Sequence, residues 1–111
     1  MKTILIIGDY TAIHQRFQDD GHAVVGADSP DDALPLLSKK VDLVVAPQWA
    51  SADVCETLRR LGLRPTLAFI GAEEGIKDSH ASGSGFPTVL HFGTTVEPKH
   101  VADLCYVSIL N

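Results

Sequence analysis

Short apolar runs alternate along the chain with segments whose apolar residues recur every three or four positions. The first run, 3–7, is rich in β-branched and aliphatic residues and ends at Gly8. A run of this length and composition predicts a strand that is buried on both faces. The next segment has Ile13 and Phe17 at helical spacing and stops at Gly21, which predicts a helix that ends at a glycine.

The alternation of strand and helix continues to the end of the chain. A hydroxyl, a proline and two acidic residues at 29–32 predict the start of a second helix. Further strands are predicted at 22–27, 41–46, 66–70 and 88–92, and further helices from Ser51 or Ala52 to Leu61 and from Pro98 to Leu110. The residues expected to face the sheet are Ala33, Leu34 and Leu37 in the second helix, Val54, Leu58 and Leu61 in the third, and Val101, Leu104, Cys105 and Ile109 in the last.

The stretch 71–85 is the least regular part of the sequence, and any helix in it, at 73–80, is predicted to be short. Parallel strands need an intervening helix, so the alternation predicts one α/β domain, 1–111, with a parallel sheet and helices on both faces. In such sheets the functional residues follow the carboxyl ends of the strands. Those positions are 8–11, 47–51, 71–73 and 93–95.

At these strand ends the chain resembles the receiver domains of two-component response regulators. The resemblance lies in the segments Ile4–Tyr10, Val24–Leu34, Val41–Pro47 and His91–Pro98, taken in their order and spacing. It implies a CheY-like, flavodoxin-like fold with three layers and strand order 2-1-3-4-5, and a place in bacterial two-component signal transduction.

The departures from the family pattern bear on function. In an active receiver two acidic residues and an acceptor aspartate hold a divalent cation, a lysine pairs with the phosphoryl group and a hydroxyl contacts it. The resemblance places Gly8 at one acidic position and leaves only Asp9 of the acidic pair. Pro47 stands at the acceptor position, Thr94 at the lysine position, and Ile70 or Gly71 at the hydroxyl position.

One carboxylate does not make a magnesium site, and the side chain of proline has no atom that could accept a phosphoryl group. The sequence therefore predicts a degenerate receiver, a pseudo-receiver without a phosphoacceptor, catalytic residue, metal or cofactor. A displaced acceptor at Asp53 is the alternative, although Asp53 is expected in the first turn of the third helix.

The first functional hypothesis is a signalling module that binds a protein partner, or a second copy as a homodimer, without phosphorylation. The family commonly uses its fourth helix, fifth strand and fifth helix for such contacts. His91 falls at the family's switch position and is interpreted as a fixed contact or a pH-sensitive one. The predicted interaction face comprises His91, Phe92, His100, Asp103 and Tyr106.

The second hypothesis is a sensor of a small molecule or anion, which would enter the vacated crevice. Trp49 lies beside that crevice in the sequence pattern, either as a lid over it or as an exposed binding anchor. A third hypothesis, an acyl-group or phosphoryl carrier, is the weakest, because such carriers need a cysteine or histidine at 9–11. The crevice positions are Gly8, Asp9, Pro47, Trp49, Gly71 and Thr94.

Composition and charge restrict the classes of partner that are expected. There are 14 acidic and 9 basic residues, a formal net charge of -5, and the basic residues are scattered along the sequence, which argues against nucleic acid. No apolar stretch approaches the roughly 20 residues of a membrane span, so a cytoplasmic protein is expected. The five histidines lack metal-ligand spacing. Cys55 and Cys105 are predicted to be buried, unbridged and on opposite faces of the sheet.

Overall fold

A computed structural model describes residues 2–33, 41–71, 86, 88–93 and 97–109. Strands and helices alternate through these ranges, as predicted. In chain order they are β1 Thr3–Ile7, α1 Thr11–Asp19, β2 Ala23–Ala27, α2 Pro30–Ala33, β3 Leu43–Pro47, a 3-10 turn Gln48–Ala50, α3 Ser51–Leu61, β4 Thr66–Ile70, β5 Val89–Phe92 and α4 Pro98–Ile109.

The five strands form one parallel sheet in the order β2-β1-β3-β4-β5. The order expected from the resemblance is therefore confirmed, and the fold is a flavodoxin-like α/β fold. Ile4 of β1 lies between Val24 of β2 and Leu43 of β3. All five strands run in the same direction, so their carboxyl ends lie at one edge of the sheet.

The core consists of two clusters of buried side chains. Ile4 and Ile6 belong to the first cluster, whereas Leu5 and Ile7 belong to the second. Successive residues of a strand point to opposite faces, so the two clusters lie on opposite faces of the sheet. The helices divide between them: Ile13 and Phe17 of α1 and Val101, Ala102 and Cys105 of α4 join the first cluster, and Ala33 of α2 and Val54, Cys55 and Leu58 of α3 join the second.

The two cysteines follow this division. Cys55 and Cys105 are both buried and free, and each belongs to a different cluster. The two cysteines therefore lie on opposite faces of the sheet, as predicted. No helix within the described ranges combines the length and the apolar character needed to cross a bilayer.

Two predicted core positions are wrong. Leu61, the last residue of α3, is 46% exposed, and Leu104 of α4 is 40% exposed. Leu61 lies beyond the buried part of its helix, since the chain turns at Gly62 with a φ of 74°. Leu104 directly precedes the buried Cys105 and points outward. Leu34, Leu37 and the predicted helix 73–80 lie outside the described residues.

One strand is displaced from its predicted position. β3 begins at Leu43, two residues later than predicted, and includes Pro47, which pairs in register with Ile70. Before the strand, the Asp42 carboxylate accepts a hydrogen bond of 2.9 Å from the backbone N–H of Thr3. The Asp42 side chain therefore joins the start of β3 to β1, and the buried strand delivers Pro47 to the carboxyl edge of the sheet.

Candidate functional site

The carboxyl edge of the sheet is tied together by backbone hydrogen bonds. The N–H of Gly8 donates to the carbonyl of Ala27 at 2.7 Å, and the N–H of Gly71 donates to the carbonyl of Phe92 at 2.9 Å. Both glycines have a positive φ, 102° at Gly8 and 99° at Gly71, where a side chain would strain the backbone. The edge is therefore a defined surface, on which the predicted crevice can be located.

Tyr10 lies beside Gly8 at this edge. A methyl group on Gly8 would lie 3.2 Å from Cε2 of Tyr10 and 3.7 Å from Cδ of Pro47, so both side chains flank the glycine. Burial raises the pKa of the Tyr10 phenol. The sequence analysis missed this residue, although a bulky aromatic two positions after a strand-end glycine was the available signal.

Several of the positions that the resemblance assigns to phosphotransfer lie within the described residues. Pro47 is buried, and its side chain offers no acceptor atom. Asp9 is exposed and accepts a hydrogen bond of 2.9 Å from the hydroxyl of Thr11. Asp53, the alternative acceptor, lies in the first turn of α3 and is exposed. Thr94 lies outside the described residues. Within the described ranges no three His, Cys, Asp or Glu side chains converge on a common point.

Trp49 is 75% exposed. Its indole is therefore not packed over the crevice as a lid, and its role as a binding anchor stays a prediction. The backbone under it is well anchored, because it belongs to the 3-10 turn 48–50 between the buried Pro47 and the buried Ser51. The Gln48 side-chain amide donates to the Ser51 hydroxyl at 3.4 Å. The turn thus holds a large aromatic side chain out into solvent.

His91 lies next to this turn. Its ring nitrogen Nδ1 is 3.1 Å from the side-chain oxygen of Gln48, so the bond requires a proton on Nδ1. Its ring centroid lies 5.9 Å from that of Phe69 in the second cluster. His91 itself is exposed. Gln48 thus links Trp49, its neighbour in the turn, to His91 of β5, and these three residues are here called the Trp49 surface.

The other members of the predicted interaction face are placed elsewhere. Phe92 is buried in the first cluster and contacts the ring of His100 edge to face at a centroid distance of 6.3 Å. His100 and Asp103 are exposed on α4. His91 and Phe92 thus point to opposite faces of the sheet, as their alternation predicts, and the five residues do not share one surface.

Tyr106 fastens α4 to α1 and is only half-exposed. Its hydroxyl donates a short hydrogen bond to the carboxylate of Asp20, which also accepts from Nε of Arg16 at 3.0 Å. Its ring contacts Phe17 at 5.8 Å and His22 at 5.2 Å between centroids. Tyr106→Ala would therefore remove a packed ring and the hydrogen bond to Asp20 as well as a member of the predicted interaction face.

The electrostatics of this contact follow from the hydrogen bond and from burial. The hydrogen bond from Tyr106 holds the pKa of Asp20 below its ordinary value, and the neighbouring Arg16 acts in the same direction. Burial, followed by the hydrogen bond to Asp20, raises the pKa of Tyr106. The structure therefore favours the ionised carboxylate and the neutral phenol.

Two cavities border α1 in the described part of the chain, and Trp49 lines neither of them. One of about 540 Å³ is lined at the strand ends by Asp9, Tyr10 and Asp28, and along α1 by Thr11, His14 and the amides of Gln15 and Gln18. Another, of about 300 Å³, lies between the starts of α1 and α4 and is lined by Asp9, Ile70 and Pro98. Of the predicted crevice residues that the structure describes, Gly8 and Asp9 border these two cavities, whereas Pro47, Trp49 and Gly71 do not.

No family model matches the sequence, and a search of curated proteins finds no match either. The proposed function therefore depends on the fold and on the geometry of the site.

Proposed function

We propose that the chain is a receiver-like, phosphorylation-independent signalling module that binds a protein partner, or a second copy of itself, and is not an enzyme. The single observation that carries the proposal is the 75% exposure of Trp49 on an anchored turn. Tryptophan is enriched among the residues that dominate binding energy at protein interfaces, because a large rigid ring loses little conformational entropy. An indole held in solvent by buried flanking residues suits that role.

The chemistry of the sheet edge supports a binding module over a phosphotransfer enzyme. Pro47 has no side-chain acceptor, and a methyl group on Gly8 would lie within 4 Å of both the Tyr10 ring and the Pro47 ring. The contact surface is instead expected around Trp49 and His91. Two buried, unbridged thiols, Cys55 and Cys105, suit a reducing compartment, so the module is proposed to act in the cytoplasm.

The test uses the single tryptophan of the chain as its own probe. Sedimentation velocity over a wide concentration range measures self-association, and capture from a lysate of the source cells measures partner binding. In the wild type, association is expected to shift the Trp49 emission to the blue as the indole leaves water. Trp49→Ala and His91→Ala are expected to weaken the association by about tenfold or more, the range for a central aromatic contact.

The matched control is Leu61→Ala, which also removes an exposed apolar side chain, at the far end of α3. It is expected to leave binding unchanged, as is Asp9→Asn. A monomer at all concentrations, together with identical captured proteins for the wild type and Trp49→Ala, would contradict the proposal.

The cavity along α1 supports a second candidate, the ligand sensor. Its volume of about 540 Å³ falls within the usual range for small-molecule sites, and its lining mixes carboxylates, amides and an imidazole. Because Trp49 is not part of its lining, tryptophan fluorescence is the wrong assay for it. A thermal-shift screen is suitable, since a ligand at a hundred times its Kd adds about 2.7 kcal/mol of stability.

Gly26 offers the variant for this candidate. A side chain there would point at the ring of His14, whose Cε1 lies 3.8 Å from the added methyl position, so Gly26→Val reduces the cavity. Gly93→Val, which meets no atom within 4 Å, is the control. A ligand that stabilises the control and the Gly26→Val variant equally does not bind in this cavity.

A further inference from the structure

The cavity of about 540 Å³ beside α1, here called the α1 cavity, borders a glycine in the middle of β2. Gly26 pairs in register with Ile6 of β1, so it belongs to the face of the sheet that α1 covers. A methyl group on Gly26 would lie 3.8 Å from Cε1 of His14. Glycine inside a strand is typical of places where a ligand approaches the backbone closely, and here it leaves room between the strand and the helix.

The two ends of the α1 cavity differ in chemistry. At one end Asp9 and Asp28 follow the carboxyl ends of β1 and β2, close to Thr11 in the first turn of α1. At the other end lies Gln18, two turns further along the helix, which corresponds to about 10 Å. A ligand that fills the cavity therefore meets carboxylates at one end and an amide at the other.

The charge of the lining favours a cation. The described residues that line the cavity include two carboxylates and neither lysine nor arginine, and Arg16 of α1 is used in an ion pair with Asp20 at 3.0 Å. The start of a helix attracts anions, but Asp9 already supplies a carboxylate there and accepts a hydrogen bond from Thr11. Within the described ranges the Asp28 carboxylate forms no hydrogen bond or ion pair, so it is available to a ligand.

The lining suits an organic cation better than a metal ion. A divalent metal needs several ligands that converge on one point, and no three His, Cys, Asp or Glu side chains do so within the described ranges. The volume is that of a site for a small organic molecule. The Tyr10 ring also lines the cavity, and the face of an aromatic ring attracts an ammonium group.

We propose that the α1 cavity binds a small organic amine, with its ammonium group at Asp9 and Asp28 and a neutral hydrogen-bonding group at Gln18. The proposal rests on the second candidate function, the ligand sensor, and names the chemical class of its ligand. The sequence left open a small molecule or an anion, and the charge of the lining favours a cation instead.

The experiment uses monoacetylated diaminobutane, which has an ammonium group at one end and an amide at the other. Two analogues, in which a hydroxyl or a carboxylate replaces the ammonium group, are the comparison probes. Changes in the backbone amide NMR shifts of the isotope-labelled full chain measure the affinity and locate the site. The amine is expected to shift the amides of Thr11, Gly26 and Asp28, to bind at least about tenfold more tightly than the carboxylate analogue, and to lose affinity as salt is added.

Two charge reversals separate a site from net charge. Asp28→Lys is expected to weaken binding of the amine by about tenfold and to strengthen binding of the carboxylate analogue. The matched control is Asp53→Lys, which reverses an exposed carboxylate at the start of α3, on the other face of the sheet, and is expected to change either affinity by less than about twofold. Trp49→Ala is expected to leave amine binding unchanged, so the site is tested separately from the Trp49 surface.

Three results would overturn the proposal. They are the absence of amine binding, equal affinity for the amine and either analogue, and equal losses in Asp28→Lys and Asp53→Lys. If the hydroxyl analogue binds as tightly as the amine and Gly26→Val abolishes both, the ligand sensor stands and the cation is wrong. If Gly26→Val leaves amine binding unchanged, the amine does not bind in the α1 cavity.

Discussion

Gly8→Ala tests directly whether the Tyr10 ring packs against Gly8 at the carboxyl edge of the sheet. At Gly8 the φ of 102° lies in the region that L-residues avoid, at a cost of about 1–2 kcal/mol. The added methyl also lies 3.2 Å from Cε2 of Tyr10, so the ring must move by a few tenths of an ångström. Together these effects are expected to lower the free energy of unfolding by about 2–3 kcal/mol.

Two other glycines separate the cost of backbone strain from the cost of the contact with Tyr10. Gly62 has a φ of 74° and Gly93 has no positive φ, and a methyl at either position meets no atom within 4 Å. Gly62→Ala is therefore expected to cost about 1 kcal/mol from backbone strain alone, and Gly93→Ala to stay within about 0.5 kcal/mol of the wild type. Urea unfolding followed by circular dichroism measures all three, since Trp49 is already solvated in the folded state.

A double-mutant cycle with Tyr10→Ala isolates the contact between the Tyr10 ring and the methyl group added at position 8. When the ring is absent, Gly8→Ala should cost only its backbone strain, so a coupling energy of about 1 kcal/mol is expected between the two positions. Equal costs for Gly8→Ala and Gly62→Ala, with no coupling to Tyr10, would refute the packing of the Tyr10 ring against Gly8.

Three further predictions concern the remaining groups. Acetyl phosphate with magnesium should leave the intact mass unchanged, because Pro47 cannot accept a phosphoryl group, and stoichiometric aspartate labelling would contradict this. Because the pKa of Asp20 is lowered, its contribution to stability is lost as the pH falls below about 4, and because the pKa of Tyr106 is raised, its contribution is lost as the pH rises above about 10. Tyr106→Phe should therefore flatten the pH profile of the unfolding free energy at both ends. An unchanged profile would refute the coupling between Asp20 and Tyr106. Burial raises the pKa of Cys105 to about 12, so a thiol reagent should label it only as the chain unfolds, and fast labelling of the native protein would contradict its burial.

The sequence alone was sufficient for the order of strands and helices. β1 and β4 were predicted at their observed bounds, because uninterrupted apolar runs are required wherever a strand is buried on both faces. That the side chain of Pro47 cannot accept a phosphoryl group could also be predicted, since it depends on which atoms a side chain possesses. The strand order came from the family resemblance, and the sheet confirms it.

The functional surfaces depended on tertiary structure. Tyr106 and Asp20 are 86 positions apart, and their contact exists only because α1 and α4 pack on the same face of the sheet. Local periodicity indicates which residues are apolar and at what spacing, but the exposure of a side chain and its neighbours are set by which elements lie side by side, and that is decided by the packing of the whole sheet.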